Sequence, residues 1–543
     1  MSNLIKKSSS GRTLISCTYH ADKSLKSLTD VSGKTVHYGY DSLGRLERIC
    51  DDNGDEIVRY GHTAGGKLKE IRHGNGMHTA YEYDTDDNII RLTLKNEKGI
   101  VFSDFRYEYD LNGNRILKSG SCLLPVEDKI KEQVVRYRYD CMDRLMEEQY
   151  DGKPVEYIYD RCGNRLVRVD SDGKEEYHYN RKNQLISRKK GTESVEYRYD
   201  LQGNILEEAD GLGKTEYHYN AFNQQTTTFM NNGQIQENWY DAEFLRAEVA
   251  ENGCRSRFLY YNGELLAESE LNDTVRNRYI LGYGVAASWQ KEGYHSYHLD
   301  EQNSTAYITD SGRRIENSYQ YDAFGVIREK NENVYNRILY TGQQYDQVTG
   351  QHYLRARYYN PVLGRFLQED VYRGDGLNLY VYCENNSVIY YDPSGYGKAP
   401  VVPFKKGQYN YPDINALNYN ERVRSLYGDP PDWMVDPHAH HFPYKKGKVN
   451  QQPTVDKIQD ILVDFEIDPI YGEEVLCWAP NRVKGQHATA QLESYLKELE
   501  ELKLNGGTRE EVIELTRRYQ QEDSVRGTEK EKKKNDSACE NKN

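Results

Sequence analysis

The sequence predicts a mainly β fold of stacked hairpins followed by a small α+β domain in ββα order. Three observations carry that prediction. A Tyr-x-Tyr-Asp/Asn motif recurs at Tyr38, Tyr81, Tyr107, Tyr137, Tyr157, Tyr177, Tyr197 and Tyr217. Between Tyr137 and Tyr217 its spacing is a steady twenty residues. After Tyr396 the motif stops, and a histidine cluster with helical apolar spacing takes its place.

Each repeat reads as a hairpin. In Val155-Glu-Tyr-Ile-Tyr-Asp160 the alternation puts both tyrosines on one face, Gly163-Asn164 supplies a turn, and Arg165-Leu-Val-Arg-Val169 returns. Two strands cannot bury a core alone, so neighbouring hairpins must stack into a continuous sheet with the tyrosines as a ladder. That use explains a composition of 49 Tyr against 11 Phe in a chain only 37% hydrophobic. A row of aromatic rings also suits sugar stacking, but the strict spacing fits a structural ladder better. The nine cysteines are scattered without a C-x-x-C pair, which argues against a cysteine zinc site or a disulfide framework. The net charge of −14 shows no global basic face, so any phosphate-binding surface has to be local, as near Lys445, Lys446 and Lys448. No run of about eighteen apolar residues marks a membrane-spanning segment.

These units resemble the YD repeats of Rhs and teneurin proteins over roughly 30–335. The resemblance implies that residues 1–335 form a hollow β shell around the C-terminal polypeptide. From 336 to 396 the stretch containing Tyr345-Asp-Gln-Val-Thr-Gly350, Tyr353-Leu-Arg-Ala-Arg-Tyr-Tyr359, Gly364-Arg-Phe366, Asn378-Leu-Tyr-Val-Tyr382 and Asp392-Pro-Ser-Gly-Tyr396 resembles the Rhs-associated core. That family cuts its own chain with two aspartates and an arginine. By position these are Asp370, Asp392 and Arg357, with the cut after Tyr396. Two carboxylates sharing a proton can activate water and protonate the leaving amide. Val371 stands where the family has proline, and Tyr396 where leucine is usual. Asp392-Pro-Ser-Gly is also a ready-made turn.

Residues 397–430 read as a linker. Within 431–505, Asp436-Pro-His-Ala-His-His-Phe442 sets three histidines within four residues, and imidazole is both a common metal ligand and a base near neutral pH. Val455, Ile458, Ile461, Leu462 and Phe465 fall at helical spacing, Val475–Trp478 reads as a strand before a turn, and a helix opens at His487 with Leu492, Tyr495, Leu496 and Leu499. This part resembles the AHH family of the HNH/ββα-metal nucleases over about 433–500. The resemblance implies His440 and His487 as ligands of a divalent metal ion (Mg, Zn or Mn) and His441 as general base. Either Glu474 or Asn481 orients that base, and Arg482 and Lys484 hold flanking phosphates. In 506–543, Thr508-Arg-Glu-Glu511 is a capping box opening a helix to about Tyr519, and the tail from Glu522 reads as disordered.

Together the resemblances imply a secreted or cell-surface antibacterial toxin. Its tip is released by self-cleavage and cuts DNA or tRNA in the target-cell cytoplasm, with a cognate immunity protein and bacterial delivery machinery or the cell wall as partners. A reading of a different class is a non-enzymatic adhesion or carbohydrate-binding shell with a degenerate tip.

Overall fold

The structure is a computed structural model. It describes residues 4–9, 11–124, 129–272, 274–291, 293–371 and 378–400, the backbone of Pro437–His441 and Leu476–Pro480, isolated helical positions between 454 and 462, and 489–504 and 508–525. Two compact units are present, Ser2–Asn410 and Tyr411–Asn543.

In the first unit, 31 strands from Lys6–Ser9 to Ile327–Glu332 form one sheet. Each strand pairs antiparallel with its neighbours in the chain, so the sheet is a continuous meander. The hairpins therefore begin before residue 30, where the motif itself is not yet legible.

One repeat shows why the sequence folds this way. Asp160 opens the turn: its Oδ1 accepts the N–H groups of Cys162 and Asn164, both at 2.8 Å, and Oδ2 accepts Asn164 Nδ2 at 2.9 Å. Gly163 then takes the left-handed conformation (φ +78°), a position filled by Asn183 and Asn223 in later repeats. The strand that follows each turn is met by a β-bulge just before the second tyrosine, between Ile158 and Tyr159 and between His178 and Tyr179. Tyr159 reaches back to donate to Leu145 O at 2.9 Å, and Tyr179 does the same to Arg165 O at 2.9 Å. The first tyrosine of each pair is buried, as at Tyr157, Tyr177, Tyr197 and Tyr217. The ladder is thus both apolar filling and a set of hydrogen bonds between successive hairpins.

The core segment packs on this tyrosine face. A small antiparallel sheet of Gln344–Asp346, Gln351–Leu354, Arg357–Asn360 and Arg365–Phe366 brings Tyr353, Tyr358, Leu363 and Leu367 against Tyr177, Tyr197 and Tyr217.

Long-range contacts hold distant parts of the meander together. Tyr107 donates to Glu301 at 3.0 Å, and Arg115 pairs with Glu301 at 2.9 Å. At another seam Ala323 N donates to Glu148 Oε2 at 3.2 Å. Burial, then the neighbouring Asp322 carboxylate, pushes the Glu148 carboxyl up to about 8, with Arg328 and Arg168 pulling the other way. Folded Glu148 therefore keeps a proton that the unfolded chain, titrating near 4.5, gives up. By linkage, stability falls as pH rises from about 4.5 to about 8. Glu148→Gln should flatten that slope, measured as urea midpoints at the two ends of the window; parallel slopes for both proteins would remove Glu148 as the cause.

In the second unit, Pro437–His441 pairs antiparallel with Leu476–Pro480, with His440 opposite Cys477 and His441 opposite Leu476. The second strand runs further than Val475–Trp478: pairing Pro437 with Pro480 extends the ladder through Ala479 into the expected turn, and a proline is tolerated at a strand end. A helix, Thr489–Leu504, follows. Its Leu492, Tyr495 and Leu499 share a buried core with Val455, Ile458, Ile461 and Leu462. The last helix opens on the reciprocal capping box, with Glu511 N donating to Thr508 Oγ1 at 3.3 Å and Thr508 N to Glu511 Oε2 at 2.7 Å. It spans Arg509–Val525, beyond the expected end at Tyr519. Val512 and Leu515 on this helix face the same core. Among the described residues no helix is long and apolar enough to cross a membrane.

Candidate active site

The three residues assigned to self-cleavage converge. Arg357 lies on the third strand of the small sheet, Asp370 just beyond its fourth, and Asp392 at the start of the Asp-Pro-Ser-Gly turn. Arg357 Nη2 is 2.8 Å from Asp370 Oδ2 and 3.6 Å from Asp392 Oδ2. All three side chains are buried, and the guanidinium lies 3.6 Å over the Phe366 ring.

The Asp-Pro-Ser-Gly turn, which precedes the expected cutting point, packs against this group. Asp392 Oδ1 accepts Ser394 N at 3.0 Å and Gly395 N at 2.7 Å, and the nearby N–H of Gly397 also favours the charged carboxyl. Gly397 N is the nitrogen that would leave if the chain were cut after Tyr396. Arg357 Nε donates to Gly395 O. Gly395 has φ +78°, and a Cβ there would come within 2.5 Å of Leu354 O and 2.9 Å of Arg357 N, so only glycine brings the turn this close. Burial pushes the Asp392 carboxyl above its usual range, while Arg357 and the three N–H groups draw it down. The turn reading and the catalytic reading of Asp392 are therefore compatible: one oxygen shapes the turn and the other faces Arg357.

The two departures from the family pattern face solvent, Val371 at 69% and Tyr396 at 50% exposure. Sequence reasoning missed two parts of this centre, the Phe366 ring beneath Arg357 and the Leu379 carbonyl that accepts Arg357 Nη1 at 3.1 Å. Phe366 stood within the quoted Gly364-Arg-Phe366 motif; a backbone carbonyl leaves no signal in side-chain identity.

The candidate nuclease residues are placed less fully. The backbones of His440 and His441 lie on the strand Pro437–His441. Glu474, Asn481, Arg482, Lys484 and His487 lie outside the described residues, and so does the stretch 401–436, which holds most of the expected linker.

Comparison with known proteins bears on the first unit. The chain is 36% identical over 169 residues to the tRNA3(Ser)-specific nuclease WapA of Bacillus spizizenii, a match covering 29% of this chain and 7% of that protein. It is 23% identical over 409 residues to double-stranded DNA deaminase toxin A of Burkholderia cenocepacia, covering 72% of this chain and 24% of the relative. The chain thus spans only a small part of the length of these curated relatives. Among solved structures, the crystal structure of TcdB2-TccC3-Cdc42 superposes with a TM-score of 0.60 at 20% identity, over 70% of this chain and 21% of that one; at that identity the likeness is one of fold. The Teneurin YD-shell family model matches residues 124–388. Repeat chemistry, meander and family model agree that the segment 124–388 has the fold of a YD shell.

Proposed function

We propose that this chain is the shell and tip of a YD-repeat toxin, that it cuts itself after Tyr396, and that the released C-terminal part cleaves nucleic acid. The observation that carries the first step is the meeting of Arg357, Asp370 and Asp392 at the Gly395–Gly397 segment. Water attacks the Tyr396 carbonyl carbon and gives its proton to Asp370. As the carbon–nitrogen bond breaks, Asp392 passes a proton to Gly397 N, leaving a carboxyl on Tyr396 and a new amino terminus on Gly397. Burial, which pushes the Asp392 carboxyl above its usual range, favours the protonated form that the acid role needs. Arg357 offsets the negative charge of the pair and, through Gly395 O, fixes the turn.

The second step rests on the Ala439-His440-His441 sequence lying on one strand of an antiparallel pair whose second strand, Leu476–Pro480, is followed by a helix, which agrees with the strand pair and helix of ββα-metal nucleases; helical positions between 454 and 462 fall between the two strands. Names of matching proteins, a tRNA nuclease and a DNA-modifying toxin, agree with a nucleic-acid target. In this reading His441 deprotonates the attacking water or a ribose 2′-hydroxyl, Glu474 or Asn481 orients it, and Arg482 and Lys484 bind flanking phosphates. The imidazoles of His440 and His487 form a donor set suited to Zn, Mn or Mg, and such an ion when bound supplies charge stabilisation at the leaving oxygen. A cognate immunity protein and delivery from the cell surface into a target cell complete the proposal.

Induced expression of residues 397–543 tests the second step by itself. Growth should stop with degradation of tRNA or DNA, and His441→Ala should restore growth, with a loss of cleavage of at least about a hundredfold. Equal toxicity of the two proteins, or none from either, would leave the tip without this activity.

A further inference from the structure

The cleavage centre is held from outside by the shell. Asn378 is buried at the edge of the sheet, where the core segment crosses the turn of the hairpin that starts at Asp160. Its Nδ2 donates to Cys162 O at 3.1 Å and to Asn164 Oδ1 at 2.8 Å, and its Oδ1 accepts Tyr380 N at 3.2 Å. Asn164 cannot turn its amide round to break this contact without loss, because its own Nδ2 is spent on Asp160 Oδ2 at 2.9 Å and Asn183 Oδ1 at 2.8 Å. One residue beyond the clamp, the Leu379 carbonyl accepts both Arg357 Nη1 at 3.1 Å and the backbone N–H of Asp370 at 3.0 Å.

We infer that Asn378 is a positioning residue for self-cleavage, coupling the turn of one shell repeat through the Leu379 carbonyl to Arg357 and Asp370, so that the chain is cut only once that part of the shell has folded. The inference rests on the self-cleavage reading above. Released from the clamp, Leu379 no longer fixes the guanidinium, and both carboxyls lose a defined partner. An asparagine is required because it offers two hydrogens to two acceptors that are themselves backbone or already committed; an aspartate there would turn an oxygen onto Cys162 O and Asn164 Oδ1.

The test follows self-cleavage of the full chain after cell-free synthesis, by gel and intact mass, at a series of pH values. Asn378→Ala and Asn164→Ala should each slow the first-order rate about tenfold or more, about 1.4 kcal/mol of barrier, and should move the basic limb of the pH profile upward as Arg357 loosens its hold on Asp392. Asn88→Ala, which removes the matching side-chain bond to Asp84 Oδ2 in a turn to which, among the described residues, no hydrogen bond runs from the core segment, should cut at the wild-type rate. In an Asp392→Asn background, Asn378→Ala should lower the unfolding temperature only modestly and leave the shell fully folded at the assay temperature, by far-UV circular dichroism. Wild-type cleavage by Asn378→Ala overturns the inference, as does equal slowing by Asn88→Ala with an unmoved pH profile. If the unaltered chain is never cut, or Asp392→Asn is cut as fast as wild type, self-cleavage itself fails, a result these arms keep apart from failure of the clamp.

Discussion

Asp392→Asn is expected to remain a single chain where the unaltered protein separates into two pieces meeting after Tyr396. The substitution keeps the shape of the side chain and an oxygen for the N–H groups of Ser394 and Gly395, both within 3.0 Å in the structure, so the turn survives. What it removes is the proton that Gly397 N needs on leaving. An amide cannot replace a general acid, and loss of such a group costs about a hundredfold to ten-thousandfold in rate. Asp370→Asn should have a comparable effect through loss of the base. Arg357→Lys should also fail: a lysine is one point charge and cannot serve Asp370, Leu379 O and Gly395 O from a planar fork. Intact mass of the purified proteins decides the matter, and a cleaved Asp392→Asn chain would refute the assignment. Since the acid must hold its proton, cleavage should fade as pH rises through the raised titration range of Asp392, and it should fade again in acid once Asp370 is protonated and the base is lost.

How far the sequence discloses this molecule depends on the range over which each interaction acts. A turn aspartate bonded to backbone two and four residues on, and a left-handed glycine or asparagine three on, are local, and the twenty-residue period states them directly. The bulge before each second tyrosine is local too, yet alternation alone does not show it, because a single extra residue leaves the apolar spacing within the motif intact. The grouping of Arg357, Asp370 and Asp392 was legible only through resemblance; no spacing law brings residues so far apart in sequence together. The ion pairs and amide clamps between the core segment and the repeats were illegible, because their partners lie about a hundred residues or more apart in the chain and an arginine destined for burial looks like one on the surface. In the second unit the capping box and the apolar spacing of Leu492, Tyr495 and Leu499 were readable, while the end of the last helix was not: polar residues carry it to Val525.

The largest stability effect is expected at Asp346, a residue with no part in either reaction. Its carboxylate is fully buried where the small sheet meets the large one. Oδ1 accepts Arg246 Nη2 at 2.9 Å and Arg337 Nη1 at 3.0 Å, while Oδ2 accepts Gln236 Nε2 at 2.7 Å. Burial pushes this carboxyl up, but Arg246, Arg337 and Gln236 outweigh burial and leave it below its usual range. Arg337 has a second partner in Glu251, at 2.6 Å, whereas Arg246 pairs with the Asp346 carboxylate and otherwise meets neutral groups, among them Gln344, Asn238, Tyr358 and the Tyr353 ring. Asp346→Ala therefore strands the Arg246 guanidinium in the interior and should cost about 3–5 kcal/mol, seen as a large drop in the urea midpoint of the shell. Changing both partners together, Asp346→Leu with Arg246→Met, should recover most of that loss, because the penalty belongs to the unpaired charge and not to the missing pair. A double variant as unstable as Asp346→Ala would assign the effect to packing. As the folded carboxyl titrates low, its contribution is present above the unfolded value and is lost as pH falls through the folded one. Acid should therefore loosen the junction between core and repeats, and self-cleavage should weaken there for want of a folded shell even though Asp392 keeps its proton.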